Sequence, residues 1–314
     1  MTRFDDAFAP IAVATRSGFD ESLHHGAGAA LAADGSLVAH VGDPRSVVYP
    51  RSCLKPMQAH AMVGLGLDLP DDQLAVACAS HDGTPMHLDA VRAILSRYGL
   101  DDSQLQNTPA PALGDPRSRP SSMRQNCSGK HAAMLATCVV NGWPTETYLD
   151  VEHPLQMAIV AAIGDLGCVV HHVGIDGCGA PTHALSLDEL AGAFAELAST
   201  GSLVARSMRA NPLMVGGAEG DDTLWMQAVP GLMAKAGAAG MMVMARDDGR
   251  AAAFKIADGS SFARQVVIPE ALRWLGVDVD AAASSARDRV VVPVLGHGRE
   301  VGRIEPLEWA PWSS

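Results

Sequence analysis

Aromatic and charged residues are scarce in this sequence, and long apolar runs are missing. Phe, Trp and Tyr make up 4% of the 314 residues and Asp, Glu, Lys and Arg make up 18%, whereas apolar residues reach 48%. That balance excludes a disordered chain, which would combine low hydrophobicity with high net charge. The apolar stretches Met241–Ala245 and Val290–Leu295 fall far short of the roughly 18 residues of a membrane-spanning helix. We therefore expect no membrane anchor.

Basic residues are also few. Lys and Arg number 23 against 35 Asp and Glu, so the net charge is −12, and the chain lacks the basic footprint that nucleic acids and anionic membranes require. The N-terminal sequence MTRFDDAFAP contains no apolar signal core. The six cysteines show no spacing typical of a secreted disulfide framework. We expect a cytoplasmic protein with reduced cysteines.

Two proline-rich stretches stand out along a chain that has no internal repeat. Asn107–Pro120 is predicted to be a long loop, because proline disfavours helices and central strands. The other stretch is the tail, Glu305–Ser314. The length of the chain predicts one or two domains.

Turn signals and helical periodicity predict a mixed α/β fold of the α+β class. Strands are predicted in two hairpins and one late segment: Ala29–Ala33 with Leu37–Val41, Gly240–Ala245 with Ala251–Ile256, and Val290–Leu295. Helices are predicted at Leu54–Leu65, Met86–Tyr98, His131–Val140, His153–Leu166, Ser186–Ser199, Ser202–Asn211 and Ala263–Leu275. Hairpins interspersed with helices favour an antiparallel sheet packed with helices over a parallel βαβ array.

The first candidate for chemistry is Ser52-x-x-Lys55, which follows Arg51 at a predicted helix start. Residues three apart face the same side of a helical turn. A buried lysine with a lowered pKa can take the proton of a serine hydroxyl, and penicillin-interacting serine enzymes use this spacing in that way. The same tetrapeptide also fits an N-cap serine followed by a solvated lysine. The motif alone leaves both interpretations open.

Two further segments place polar side chains in apolar surroundings. Ser80 follows an apolar run and precedes His81 and Asp82, so it is either a catalytic hydroxyl or part of a capping turn for the next helix. Lys255 stands alone in the apolar sequence AAAFKI, shortly before Gly259. This pattern is similar to the K-T-G strand of β-lactamases, and the alternative is a lysine on an edge strand.

Two cysteines lie in polar, glycine-containing segments, Cys127 in Arg124–His131 and Cys178 in Gly174–Pro181. Two thiolates and one nitrogen would make a tetrahedral zinc site with one open position. The spacing C-x-x-K-H is not a standard zinc motif, so buried structural thiols are the alternative. A phosphate-binding loop is excluded, because Arg124 stands where its opening glycine should be.

Taken together, these segments resemble the rhizobial-type inducible L-asparaginase family. The order and spacing that carry the resemblance are those of His24-His25-Gly26, Arg51-Ser52-x-x-Lys55-Pro56, Cys78-Ala79-Ser80-His81, Asn126–His131, Ile175–Pro181 and Lys255–Gly259. The resemblance covers the chain from near Ala12 to near Val301, and the Cys127 and Cys178 segments are its most specific parts. It implies one asparaginase-like catalytic domain over residues 1–314, with room for two lobes, and a fold similar to that of serine β-lactamases and glutaminases.

The resemblance also implies a role for each matching side chain. The catalytic groups would be two Ser–Lys pairs, Ser52 with Lys55 and Ser80 with Lys255. The zinc ligands would be Cys127, Lys130 and Cys178, and the substrate-binding residues would be Arg51, Asp176 and His131. Family members form homodimers, so we expect a homodimer. One departure bears on activity or substrate preference: Ala239 stands where the family pattern K-x-G-A-E-G has an acidic residue.

Amide hydrolysis suits these groups. A serine activated by lysine attacks the amide to form an acyl-enzyme, a second Ser–Lys pair carries a proton to the departing ammonia, and backbone N–H groups near Ser52 or Ser80 would bind the oxyanion. Asp and Arg would recognise the α-ammonium and α-carboxylate groups. We therefore expect an L-asparaginase that converts L-asparagine to L-aspartate and ammonia.

Two alternatives remain open at this point. One is a related serine amidohydrolase, such as a glutaminase or a β-lactamase-like hydrolase, and the other is a non-catalytic zinc-binding homologue. The two Ser–Lys pairs argue against the non-catalytic homologue, which would have no need of them. Asparagine and glutamine differ by one methylene, which is worth only about 1–3 kcal/mol in a pocket. The sequence therefore does not decide between these two substrates.

Overall fold

The structure is a computed structural model that describes residues 7–282 and 290–313. Its contacts divide the chain into two compact units, and each unit is made of segments that are far apart in sequence. The first unit comprises described residues within 1–53, 185–200 and 224–314. The second unit comprises residues 54–184 and 201–223.

The first unit is built on an antiparallel sheet. The strands of both units, as far as the described residues go, are β1 (Ala9–Arg16), β2 (Phe19–Leu31), β3 (Leu37–Val41), β4 (Val47–Val48), β5 (His172–Ile175), β6 (Pro181–Ser186), β7 (Leu232–Gly237), β8 (Met241–Arg246), β9 (Ala251–Ile256), β10 (Val292–Gly296), β11 (Arg299–Pro306) and β12 (Ala310–Pro311). The main sheet runs in the order β10-β11-β1-β2-β9-β8-β7, and β3 pairs with both β2 and β12. Every neighbouring pair in it is antiparallel.

Close pairing of β2 with β9 sets the position of Lys255. The register places Ala27 opposite Lys255, and β9 pairs with β8 on its other side. A Cβ atom on Gly26 would lie 2.6 Å from the carbonyl oxygen of Lys255. Glycine at this point therefore allows the two backbones to approach. Because β9 is an interior strand, the edge-strand interpretation of Lys255 is wrong.

The described chain also contains eleven helices. They are α1 (Lys55–Gly64), α2 (Asp71–Ala77), α3 (Pro85–Arg97), α4 (Ser128–Asn141), α5 (Pro154–Asp165), α6 (Leu187–Ser199), α7 (Leu203–Ala210), α8 (Pro212–Gly216), α9 (Asp221–Ala228), α10 (Ser261–Trp274) and α11 (Val279–Ala282). In the first unit, α6 and α10 both pack against β8 and β9. The apolar residues of α6, among them Leu190, Phe194 and Leu197, are buried there.

The second unit is a cluster of helices around α4. This helix packs against α1, α2, α3 and α5, and its residues from Ser128 to Cys138 are all buried. Gly129 is needed in its first turn, because a Cβ atom there would overlap the carbonyl oxygen of Val76 in α2. The close approach of α4 to α2 brings the segment that holds Cys127 and Lys130 deep into this unit.

The structure confirms the α+β class with its antiparallel sheet. The two predicted hairpins and the seven predicted helices are present, with ends shifted by a few residues, and Asn107–Pro120 contains no helix or named strand. The elements that were not predicted from the sequence are β1, the first half of β2, β4 to β7, β11, β12, α2, α8, α9 and α11. The N-terminal half of β2 is exposed on both faces and so shows no alternation, while α2 spans only 7 residues. The single-domain assignment stays a prediction.

Candidate active site

Ser52 and Lys55 belong to two consecutive helical elements. Ser52 belongs to a short 3-10 helix, Arg51–Leu54, and α1 begins directly after it at Lys55. Pro56 stands at the start of α1, where its missing N–H removes no helical hydrogen bond. Arg51 has a φ of +54°, an uncommon backbone conformation for a residue other than glycine. Ser52 and Lys55 are 8% and 1% exposed.

The amine of Lys55 donates to Ser80. Its Nζ atom lies 3.3 Å from Ser80 Oγ and also bonds the carbonyl oxygen of Ala79. Ser80 comes shortly after α2 and is partly exposed, so its hydroxyl is accessible while the lysine beside it is buried. The implied pairs were Ser52 with Lys55 and Ser80 with Lys255. The hydrogen bond between Lys55 and Ser80 joins the lysine of the first pair to the serine of the second pair.

The backbone around Ser80 is already hydrogen-bonded. The N–H of Ser80 donates to the carbonyl oxygen of Val215 at 2.9 Å, and the N–H of His81 donates to that of Asn126 at 3.2 Å. These bonds hold the turn in place. These two N–H groups are thus occupied within the second unit, and the expectation that backbone N–H groups near Ser52 or Ser80 bind the oxyanion stays a prediction.

His81 and Asp82 do not form a triad with Ser80. The Nε2 atom of His81 lies 2.9 Å from the hydroxyl of Ser128 at the start of α4. Burial holds the pKa of His81 well below its usual value, with smaller effects from His87 and Lys55. Adjacent residues in an irregular turn point in different directions, which is why the sequence order Ser-His-Asp has no catalytic geometry here.

Two thiols and an amine meet in the second unit. Cys127 directly precedes α4, Lys130 lies in its first turn, and Cys178 follows β5. The Nζ atom of Lys130 lies 3.2 Å from Cys178 Sγ. Cys127, Lys130 and Cys178 are 5%, 2% and 2% exposed. The three side chains that the resemblance assigned to zinc are therefore brought together and shielded from solvent.

The charges in this group depend on one another. A hydrogen bond with Cys178 is the main cause that holds the pKa of Cys127 well below its usual value, and the positive charges of Lys55 and Lys130 act the same way. The same hydrogen bond raises the pKa of Cys178, as does burial. Burial alone would lower the pKa of Lys130, but the negative charges of Cys178, Cys127 and Asp176 outweigh it, so this pKa is raised.

The donor set fits zinc. Two sulfur atoms and one amine nitrogen supply three of the four positions of a tetrahedral site and leave one open. Among the described residues, no three His, Cys, Asp or Glu side chains cluster in a way that could hold a metal ion, so the third protein donor would be Lys130. An amine coordinates only after it has lost its proton.

His131 and Asp176 lie in the same unit as this group. The Nδ1 atom of His131 lies 2.8 Å from the hydroxyl of Tyr148. Its Nε2 atom is buried and has no hydrogen-bond partner among the described residues. Burial, and then the charges of Lys130 and Lys55, hold the pKa of His131 well below its usual value. Asp176 is partly exposed, and its carboxylate accepts from the N–H of Gly177 at 2.7 Å.

Lys255 lies in the first unit and donates to backbone. Its Nζ atom is 2.6 Å from the carbonyl oxygen of Ala239 and also bonds that of Ile256. Burial lowers its pKa, and the charge of Asp258 partly opposes this shift. Asp258 in turn lies 2.7 Å from Nδ1 of His24. Ala239, which stands where the family pattern has an acidic residue, is thus the residue whose carbonyl oxygen accepts a hydrogen bond from Lys255. Its φ is +57°.

Lysine is rare in this chain. Only four of the 23 basic residues are lysines, and all are in the candidate segments: Lys55, Lys130, Lys235 and Lys255. Lysine is almost never fully buried unless it is paired, yet the first three of these are 2% exposed or less. Lys235, which was not predicted as a site residue, donates to the carbonyl oxygen of Ala236 at 2.9 Å. The scarcity of lysine was the signal that would have identified it.

The candidate residues thus fall into two groups. The second unit holds Lys55, Ser80, Cys127, Lys130, His131, Asp176 and Cys178, and the first unit holds Arg51, Ser52 and Lys255. Within the second unit, the charge of Lys55 acts on both Cys127 and His131. The hydroxyl–amine pair and the thiol–amine group therefore share one electrostatic environment.

Comparison with known protein families gives one match. Residues 12–306 match the family described as L-asparaginase II, which is almost the whole chain. A comparison with curated proteins found no match. Within the described residues, no helix is long and apolar enough to cross a membrane.

Proposed function

Because the chain belongs to the L-asparaginase II family, we propose that it hydrolyses L-asparagine to L-aspartate and ammonia. Membership itself implies an amidohydrolase that acts on a small-molecule amide. The finer assignment rests on the residues that match the family pattern and on their geometry. The observation that carries it is the hydrogen bond between the buried amine of Lys55 and the partly exposed hydroxyl of Ser80.

This hydrogen bond supports Ser80 as the hydroxyl that Lys55 activates. In the neutral form, the Lys55 amine takes the Ser80 proton as Oγ attacks the amide carbon. The C–N bond then breaks, the proton held by Lys55 passes to the departing nitrogen, which leaves as ammonia, and an ester with Ser80 remains. Water attacks this ester, loses a proton to the same base, and releases aspartate with the serine hydroxyl restored.

Ser52 and Lys255 are the other two groups that we propose for the reaction. Ser52 is three residues before Lys55 and is the alternative nucleophile. Lys255 has a lowered pKa, as suits an amine that must exchange protons near neutral pH. We assign it to the second proton transfer, in which it relays the proton from Lys55 to the departing nitrogen.

Charged and polar groups would select an amino-acid amide. Asp176 supplies a partly exposed carboxylate for the α-ammonium group, and Arg51 supplies a guanidinium for the α-carboxylate. His131 supplies a buried ring nitrogen without a protein partner among the described residues. A substrate lacking either charged end would lose one of these charge-assisted hydrogen bonds, and that loss weakens binding.

Zinc is the cofactor that we propose. Cys127, Lys130 and Cys178 would hold it, and it would supply a Lewis acid with one open position. We expect about one zinc per chain in protein purified without chelators, as a single site of this kind would hold. Elemental analysis of purified protein measures this directly, and active protein without metal would remove zinc from the mechanism.

The activity assay is ammonia release from L-asparagine and, separately, from L-glutamine at neutral pH. We expect release from asparagine, near-complete loss in Ser80→Ala, and an unchanged circular dichroism spectrum in that variant. Ser52→Ala is the matched comparison, because it deletes the same hydroxyl three residues before Lys55. If Ser80→Ala keeps more than a tenth of wild-type turnover while Ser52→Ala loses it, then Ser52 is the nucleophile. Faster release from glutamine would make the protein a glutaminase, and no release from any amide would leave a zinc-binding homologue.

A homodimer and a cytoplasmic location complete the proposal. The first follows from the family resemblance, and the second from the reduced state of the cysteines that the chemistry requires. All six cysteines are buried and free of disulfides, and two of them are the proposed zinc ligands. Light scattering coupled to size exclusion measures the mass in solution, and a mass of 32.7 kDa would exclude the dimer.

A further inference from the structure

The hydroxyl of Tyr148 bridges a backbone N–H and His131. The backbone N of Gln106 lies 3.2 Å from Tyr148 Oη, and Tyr148 Oη lies 2.8 Å from Nδ1 of His131. Both rings are fully buried, and they meet edge to face with centroids 5.7 Å apart. Burial raises the pKa of Tyr148, so the phenol keeps its proton.

The direction of these two hydrogen bonds follows from donor chemistry. A backbone N–H can only donate, so Tyr148 Oη accepts from Gln106. The phenol proton then has one acceptor within the described residues, Nδ1 of His131. In the opposite arrangement, Nδ1–H would donate to an oxygen that already accepts, and the buried phenol proton would have no acceptor. The phenol proton and the Nε2 acceptor would then both be buried without partners, whereas the first arrangement leaves only the Nε2–H unpaired. Each unpaired buried group costs about 1–3 kcal/mol, so His131 carries its proton on Nε2.

Two other buried histidines provide an internal comparison. His81 accepts a backbone N–H at Nδ1, so its Nε2–H donates to Ser128 Oγ at 2.9 Å. His87 has a hydroxyl at Nδ1, and its Nε2–H donates to the carbonyl oxygen of Leu213 at 3.0 Å. All three rings thus hold the same tautomer. Only for His131 does the Nε2–H have no acceptor within residues 7–282 and 290–313.

A buried N–H donor that the protein leaves unpaired is suited to a ligand oxygen. A buried N–H is best matched by an acceptor oxygen that carries negative charge, because charge-assisted hydrogen bonds are the stronger ones. The backbone N–H groups of Ser80 and His81 already donate to carbonyl oxygens, so they do not compete for that acceptor. In an amide substrate, the acceptors of this kind are the carbonyl oxygen that becomes an oxyanion and the α-carboxylate.

We propose that Tyr148 is a positioning residue that holds His131 in the Nε2–H tautomer, so that this N–H donates to an oxygen of the amide substrate. This inference rests on the proposed function for the identity of the ligand. The tautomer itself is a property of the protein without substrate. The two parts can therefore be measured separately.

The first measurement is the protonation pattern of the His131 ring. Protein labelled with nitrogen-15 at histidine shows protonated and unprotonated ring nitrogens at different chemical shifts in long-range proton–nitrogen correlation spectra. His131→Gln identifies the His131 signals by their loss. In wild-type protein we expect Nε2 protonated and Nδ1 unprotonated, and in Tyr148→Phe we expect a mixture of both tautomers.

Tyr98→Phe is the matched control. Tyr98 lies in the same unit, and its hydroxyl also accepts one backbone N–H and donates once, in this case to the carbonyl oxygen of Asp68. Removing that hydroxyl should leave the His131 signals and the activity unchanged. Any general effect of losing a phenol hydroxyl would appear in both variants.

The second measurement is kinetic. Tyr148→Phe should lower kcat/KM for asparagine about tenfold, which corresponds to the loss of one well-formed hydrogen bond. The side-chain amide of glutamine places an N–H near the position of Nε2 and has no ring tautomers. We therefore expect Tyr148→Phe to have little further effect in a His131→Gln background, so the two substitutions should be non-additive.

The outcomes are distinct. Protonation of Nδ1 in wild-type protein would overturn the assignment without any variant, even if Tyr148→Phe failed to fold. A Tyr148→Phe protein with unchanged ring signals and unchanged kcat/KM would overturn it as well. If wild-type protein releases no ammonia from any amide, the proposed function fails, whereas the ring signals still decide whether Tyr148 sets the tautomer.

Discussion

Lys55 and Lys255 place the same amine in two different environments. Lys55 begins a helix in the second unit, is 1% exposed, and donates to the hydroxyl of Ser80. Lys255 lies within a strand of the first unit, is partly exposed, and donates to two backbone carbonyls. A hydroxyl can give up a proton to a neutral amine, whereas a carbonyl can only accept one. The comparison therefore favours Lys55 as the base for Ser80, and it makes the protonation of Lys255 the property to measure.

Removal of either amine should have the largest effect. Lys55→Met and Lys255→Met should each reduce kcat for ammonia release about 10³-fold, which is the usual size of the contribution of a positioned acid or base. Lys55→Arg should fail as well, because a guanidinium does not lose its proton in this pH range. Steady-state assays measure the loss, and circular dichroism checks that helix content is kept. Wild-type kcat in Lys55→Arg would mean that Lys55 serves only as a positive charge.

The packing that supports the second unit can be tested through two helical glycines. In Gly129→Ala, the new Cβ would overlap the carbonyl oxygen of Val76, so α4 must move away from α2 and we expect a loss of about 1–3 kcal/mol in the free energy of unfolding. Gly164→Ala in α5 is the control, because its Cβ would meet open space. There the better helix propensity of alanine should add about 0.5–1 kcal/mol. Urea unfolding of both variants gives the difference, and equal stabilities would contradict the close helix approach.

The lowered pKa of Lys255 predicts the direction of the pH dependence. Its neutral amine forms as pH rises through the lowered pKa, so activity should increase toward alkaline pH and level off there. Because the chain has four lysines, carbon-13 labelling at lysine gives few signals, and Lys255→Met assigns the one that titrates below the ordinary lysine range. A pH–rate profile that stays flat from mildly acid to strongly alkaline conditions would remove Lys255 and Lys55 as titrating bases.

The smallest expected effect concerns Ala239. Ala239→Glu adds a carboxylate to the residue whose carbonyl oxygen accepts from Lys255, and the added negative charge should raise the pKa of the lysine. The alkaline rise in activity should then move to higher pH. The shift should be modest and should shrink at high salt, because Ala239 is exposed. Ala239→Gln has the same backbone strain without the charge, and an equal shift in that variant would show that charge is not the cause.

Local signals predicted most of the secondary structure and the identity of the candidate residues. Helical spacing and capping residues located α3 and α6, and the turn around Asp34 located the β2–β3 hairpin. The exposed half of β2 and the short helix α2 were missed because neither shows enough periodicity to be recognised. The partner of Lys55 was also missed. Spacing shows which residues share a helical turn, but it does not show which loop packs against that turn.

The sequence by itself determined which residue types stand at helix starts, in turns and in strands, because those preferences depend on backbone geometry over a few residues. Only the tertiary structure decided which of them meet. Lys55 and Ser80 are 25 positions apart, Lys130 and Cys178 are 48 apart, and His131 and Tyr148 are 17 apart. Such contacts depend on how α4 packs among its neighbouring helices and on which polar atoms lose water there. No pattern confined to a single helix or strand contains that information.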